Sequence, residues 1–113
     1  MNIIKSSPNL TKKDRYKMIE DPAVRSISSI EEKTALKYES FILYTDINSD
    51  GDEVELLSIK CEEGVYATNS KTFIDGFKRA LEIFDDDESE INIINVIPGK
   101  SKNNRTFYQC SID

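Results

Sequence analysis

The stretch Asn69–Phe84, NSKTFIDGFKRALEIF, limits the possible folds of this chain more than any other segment. Phe73, Phe77, Ala80, Leu81 and Phe84 recur at spacings of three and four, which puts them on one stripe of a helix. Ser70 is placed to cap that helix, and the expected span is Ser70–Phe84. Asp75 lies toward its front and Lys78 and Arg79 toward its back, as the helix dipole favours. Gly76 interrupts the pattern at a cost of up to about 1 kcal/mol against Ala, which fits a helix lying close to a strand. A stripe of three phenylalanines must be buried, and the segments on both sides of it read as strands.

Three strands are expected before the helix, at Thr34–Thr45, Glu53–Lys60 and Gly64–Ala67. In the first, Leu36, Tyr38, Ser40, Ile42 and Tyr44 alternate with Lys37, Glu39, Phe41 and Leu43. Two strands follow the helix. One runs through EINIINVI until Pro98-Gly99 opens a loop, and the other is RTFYQCSI. In the last strand Phe107, Gln109 and Ser111 oppose Tyr108, Cys110 and Ile112. A short N-terminal helix is expected in NLTKKDRYKMIEDP, capped by Thr11, supported by Asp14 and ended by Pro22, with Leu10, Tyr16 and Ile19 on its apolar side.

The expected fold is therefore mostly β with helices. One helix between the third and fourth of five strands is the element order of an OB-fold, a five-stranded Greek-key barrel. A mixed open α+β sheet has the same element count. At 113 residues the chain makes one domain,. Residues 1–30 form a helix and connection, and residues 31–113 form the barrel.

DINSDGDEVELL begins like a calcium loop, with Asp46, Asn48 and Asp50 at alternate positions and Gly51 at the sixth. The closing position, which needs a bidentate carboxylate, is Leu57, and strands rather than helices flank the segment. The expected structure is a hairpin turn that holds no metal.

The chain contains no histidine, which removes the commonest general base and the commonest zinc ligand,. It carries no phosphate-binding glycine motif. These features argue for a protein that is not an enzyme and needs no cofactor. Cys61 and Cys110 are too few for a disulfide framework and read as reduced packing thiols, in keeping with a cytoplasmic protein. The N-terminal MNIIKSSPNL lacks a signal-peptide core, and no run is long enough to span a membrane.

Net charge is −6, but the charge is unevenly placed. TKKDRYK and GKSKNNR are locally basic, while Asp85, Asp86, Asp87, Glu88 and Glu90 form an acidic run. Local field, not net charge, positions a polyanion. PGKSKNNR carries Lys100, Lys102 and Arg105 for phosphates, and Phe107 and Tyr108 follow directly. Cations beside aromatic rings are what a single-stranded nucleic acid site requires. The other reading of the segment is a solvated hairpin tip with its aromatics in the core.

The chain resembles the small single-stranded-DNA-binding proteins of phages of Gram-positive bacteria, over roughly Ala35–Ile112. The resemblance rests on ILYTDINSDGDEVELLSI, on GVYATNSKTF leading into the helix, and on INVIPGKSKNNRTFYQCSI. Ser70-Lys71-Thr72 and Gly99-Lys100-Ser101 occupy the family's short motif positions, whereas NNR stands where a glycine often completes the turn. The resemblance implies a non-catalytic coat for single-stranded DNA during phage DNA replication, acting in the host cytoplasm. Lys100, Lys102 and Arg105 are then the phosphate contacts, with Lys37, Lys60 and Lys71 weaker candidates. Tyr44, Tyr66, Phe107 and Tyr108 are the stacking candidates, and Phe107 is favoured over Tyr108, whose side of the strand looks like core. The acidic run Asp85–Glu90 is a solvated turn, a surface that repels DNA, or a dock for replication proteins. The rival reading is a small acidic phage protein that inhibits a host nucleic-acid enzyme; a third is an interaction module of a larger complex.

Overall fold

The computed structural model describes all 113 residues. It consists of seven strands and two α-helices rather than five strands. In chain order these are β1 (Asn2–Ser6), α1 (Lys12–Ile19), β2 (Arg25–Ser26), β3 (Thr34–Ile47), β4 (Glu53–Cys61), β5 (Gly64–Thr68), α2 (Lys71–Ile83), β6 (Ile93–Lys100) and β7 (Thr106–Ile112). Single 3₁₀ turns occupy Ile27–Ser29 and Glu88–Glu90.

The strands form one strongly curled sheet, a half-barrel, in the order β2-β5-β4-β3-β6-β7, with β1 added antiparallel to β3. β3 holds the sheet together. Its first residues, Thr34–Lys37, pair with β6, and the rest, from Tyr38 on, pair with β4. A register shift between Tyr38 and Ser40 marks the bend. It also overturns the simple alternation expected for this strand. Leu36 and Tyr38 face the main core, and after the shift Phe41 and Leu43 take over that face. Ser40 and Ile42 are buried on the opposite side. One extra residue in a strand reverses the facing of everything beyond it.

α2 lies where the Phe stripe predicts, with Ser70 as its cap. Phe73, Phe77 and Leu81 are buried. Ile74 is buried as well, which widens the stripe, whereas Phe84 is only half-buried at the helix end. Phe77 meets Phe41 edge-on at a centroid distance of 5.1 Å. Gly76 allows α2 to approach β7, since a Cβ there would sit 3.3 Å from Cys110 Cβ.

α1 carries the expected capping box: Asp14 N–H donates to Thr11 Oγ1 at 3.0 Å and Thr11 N–H to Asp14 Oδ2 at 2.9 Å. The helix does not precede the sheet, however, because β1 lies ahead of it and is part of that sheet. Its buried residue is Met18, not Tyr16, which is 51% exposed. Met18 packs on Ile42 and Tyr44, with Leu56 and Val65 beside them, so α1 covers the outer face where β3, β4 and β5 meet. Ser58 Oγ donates to the Met18 carbonyl and anchors the helix end.

The β3–β4 connection is a hairpin turn. Asn48 Oδ1 accepts the backbone N–H groups of Asp50 and Asp52, each at 2.9 Å, and Gly51 supplies the positive φ. Asn48, one of the three oxygen-bearing residues of the calcium-like string, is thereby turned inward to close the backbone.

Candidate nucleic-acid interface

Strand β6 does not stop at Pro98. It continues through Pro98 and Gly99 to Lys100, paired with Thr106–Tyr108 of β7. β3 covers β6 only as far as Val96, so the far half of β6 has a single neighbour and needs ladder donors only at alternate residues. A proline is tolerated there. The loop is therefore Ser101–Arg105, shorter than PGKSKNNR suggested. Ser101 N–H donates to the Arg105 carbonyl and Asn104 N–H to the Ser101 carbonyl, both at 2.9 Å. Asn104 adopts φ 58°, the left-handed conformation a glycine would otherwise supply,. The absence of a glycine in NNR is thus made good by an asparagine.

Lys100, Lys102 and Arg105 all cluster at this tip, all exposed, and none is in an ion pair. The two aromatics behind them point to opposite faces of the ribbon. Phe107 is half-buried, with its ring over Gly99. Tyr108 packs on the main core and donates its hydroxyl to the Ser28 carbonyl at 3.1 Å. Beside Tyr108 a cleft of about 330 Å³ opens between the ribbon and the segment Ser28–Glu31, with Lys100 on its wall.

The remaining candidates are not gathered at the tip. Tyr44 lies beneath α1 and is 4% exposed. Tyr66 is 7% exposed in the main core, and the Arg25 guanidinium lies 5.8 Å from its ring centroid while donating to its hydroxyl at 3.2 Å. Neither ring can stack on a base in this arrangement, which corrects the expectation for both. Sequence spacing could not foresee it, because the covering residues come from α1 and β2. Lys37 pairs with Glu62 at 3.5 Å and Lys71 with Asp75 at 2.9 Å. Lys60 is exposed and unpaired on the outer face of β4, near Asp14 of α1.

The electrostatic landscape is divided. The β3–β4 turn bears Asp46, Asp50, Asp52 and Glu53 and opposes any polyanion. The acidic run after α2 is largely engaged in structure. Asp86 pairs with Lys5, Asp87 caps the 3₁₀ turn through Ser89, and Glu88 accepts from both Ser7 and Tyr38. Burial and the Glu88 carboxylate push the Tyr38 hydroxyl well above its usual range. The Ser89 hydroxyl and N–H hold the Asp87 carboxyl below its usual range. Burial pushes the thiols of Cys61 and Cys110 up to about 12, so both are protonated at neutral pH. No helix is long and apolar enough to cross a membrane.

No protein-family description, curated protein or solved structure matches the chain.

Proposed function

We propose that this protein binds single-stranded DNA without catalysis, through the β6–β7 hairpin, as a coat for exposed strands during phage DNA replication. The observation that carries the reading is the tip itself. Three cations without carboxylate partners are concentrated on one hairpin of a chain whose net charge is −6. Carboxylates engage Lys5, Lys17, Lys37, Lys71 and Lys78, whereas the three cations of the tip stay free to meet phosphates. Phe107, on the outer face of the same ribbon, offers a ring for one base.

The topology supports a finer reading as an OB-type barrel. The β3-β4-β5 meander, the passage of β3 from β6 to β4, the β6–β7 hairpin and α2 between β5 and β6 are the relations such a barrel requires. β2 and the Ile27–Ser29 turn fill the side between β5 and β7 where the curl remains open. α1 covers part of the face of β4 that an OB-fold uses for ligands, which shifts the weight of binding to the hairpin. The acids of the β3–β4 turn keep phosphates away from that end of the sheet,.

The test is a salt titration of fluorescence anisotropy with labelled oligo-dT. Each phosphate contact adds about −0.7 to the slope of log K against log salt. Replacing Lys100, Lys102 and Arg105 together by Ala should flatten the slope by roughly two and weaken binding to all sequences alike. Phe107→Ala should weaken binding by about 1–3 kcal/mol with little change in slope. Absence of saturable binding by the wild-type protein in low salt defeats the proposal.

A further inference from the structure

Tyr16 is exposed at the α1–β1 junction. It lines a groove of about 300 Å³ between α1 and β1, together with the apolar Met1, Ile3 and Ile19 and the cations Lys12 and Arg15. That volume is at the lower end of small-ligand sites. Tyr16 and Ile3 are 51% and 39% exposed. Lys12, Lys13 and Arg15 take part in no ion pair. The nearest acid in sequence, Asp14, is held by Thr11 of its own helix. Glu20 is the one carboxylate on the groove wall.

We infer that this groove is a second contact for a single strand of nucleic acid, with a base stacked on Tyr16 and its flanking phosphates met by Lys12 and Arg15. The inference rests on the proposed single-strand reading and extends it to a surface outside the hairpin. Charge complementarity selects the occupant. Two cations without ion-pair partners, Lys12 and Arg15, outnumber the single carboxylate Glu20 in the lining, and the half-exposed Tyr16 stands beside the apolar Met1, Ile3 and Ile19. A stacking site needs both features. A lipid surface would be met by a projecting apolar face, whereas here the apolar residues line a concavity.

The experiment uses the full chain and labelled oligo-dT. Tyr16→Ala should weaken binding about 5- to 150-fold, the loss of one stacked base, and Tyr16→Phe should bind as wild type. Lys12→Ala with Arg15→Ala should reduce the salt slope by about 1.4. Melting temperatures identify any variant that has lost its fold, and ultraviolet cross-linking of oligo-dT to Tyr16 in the unmodified protein reads the contact without mutation. If the hairpin triple variant loses affinity while the α1 variants bind as wild type and no cross-link forms, this inference falls and the hairpin reading stands. If wild type binds no oligo-dT at all, both fall together. Binding to phosphatidylserine vesicles that depends on Tyr16, with oligo-dT affinity unchanged by Tyr16→Ala, assigns the groove to membranes and overturns the inference.

Discussion

The ring of Phe107 occupies the space that a side chain at Gly99 would need. A Cβ built on Gly99 would lie 2.6 Å from Phe107 Cζ, with Cε2 and Cε1 at 3.0 and 3.2 Å. The two residues are direct cross-strand partners in the β6–β7 ribbon. The glycine lets the ring lie down over the backbone, which holds a half-buried aromatic next to the basic tip. Gly99→Ala should lift the ring toward solvent. The far end of a side chain yields more easily than a packed core, so the cost should be about 1 kcal/mol, at the low end for overpacking. In a Phe107→Ala background the same substitution should cost almost nothing. A double-mutant cycle by urea denaturation measures the coupling; equal costs in both backgrounds would show that the ring does not depend on Gly99.

Phe77 is the most consequential aromatic of α2. It is 1% exposed and touches Phe41 and Tyr38. Phe77→Ala should destabilise the protein by about 3–5 kcal/mol. Phe84→Ala should cost distinctly less, because Phe84 is half-buried at the helix end. Thermal unfolding of the two variants ranks them.

Glu88 differs from the other acids of its run in accepting two hydroxyl hydrogen bonds from distant elements. It accepts from Ser7 of the segment after β1 and from Tyr38 of β3, and so ties the turn after α2 to both. Glu88→Ala leaves two partly buried hydroxyls without their acceptor and should cost about 1–3 kcal/mol. Glu90→Ala should fall within about 0.5 kcal/mol of wild type. Equal effects of Glu88→Ala and Glu90→Ala in chemical denaturation would mean the run acts only as bulk charge.

Stability should fall in alkali. The folded-state values of Cys61 and Cys110 are pushed up to about 12 by burial, while the unfolded chain ionises its thiols near about 8.5. The folded protein therefore holds more protons in this window, and stability declines as pH rises above the unfolded value. The decline approaches about 1.4 kcal/mol per thiol for each pH unit. Tyr38, displaced in the same direction, adds to the loss above about pH 10,. Urea melts at about pH 8 and about pH 10 should show a shallower decline in Cys61→Ala/Cys110→Ala than in wild type.

Elements whose signal is local are legible in the sequence. The stripe Phe73–Phe77–Leu81 and the Ser70 cap place α2 to within a residue of its ends. The Thr11–Asp14 capping box fixes the start of α1, and Asn48 with Gly51 makes the β3–β4 turn. Spacing also separates Phe107 from Tyr108 across the final strand. Each of these features is decided by residues within a few positions of one another.

Tertiary structure alone decided the rest. Asn2–Ser6 is a strand because it hydrogen-bonds to Ile42–Thr45, a pairing between residues distant in sequence that no local period encodes. Arg25–Ser26 is a strand only through β5. Tyr44 and Tyr66 look alike in sequence to a stacking aromatic such as Phe107. They are lost to binding because Met18 covers one and Arg25 the other. The bulge beyond Tyr38 reverses which side chains of β3 face the core, and it arises where that strand leaves β6 for β4. Side-chain periodicity reports the environment of a regular element. Which partner supplies that environment, and where an element bends to change partners, depends on contacts that exist only after the chain has closed on itself.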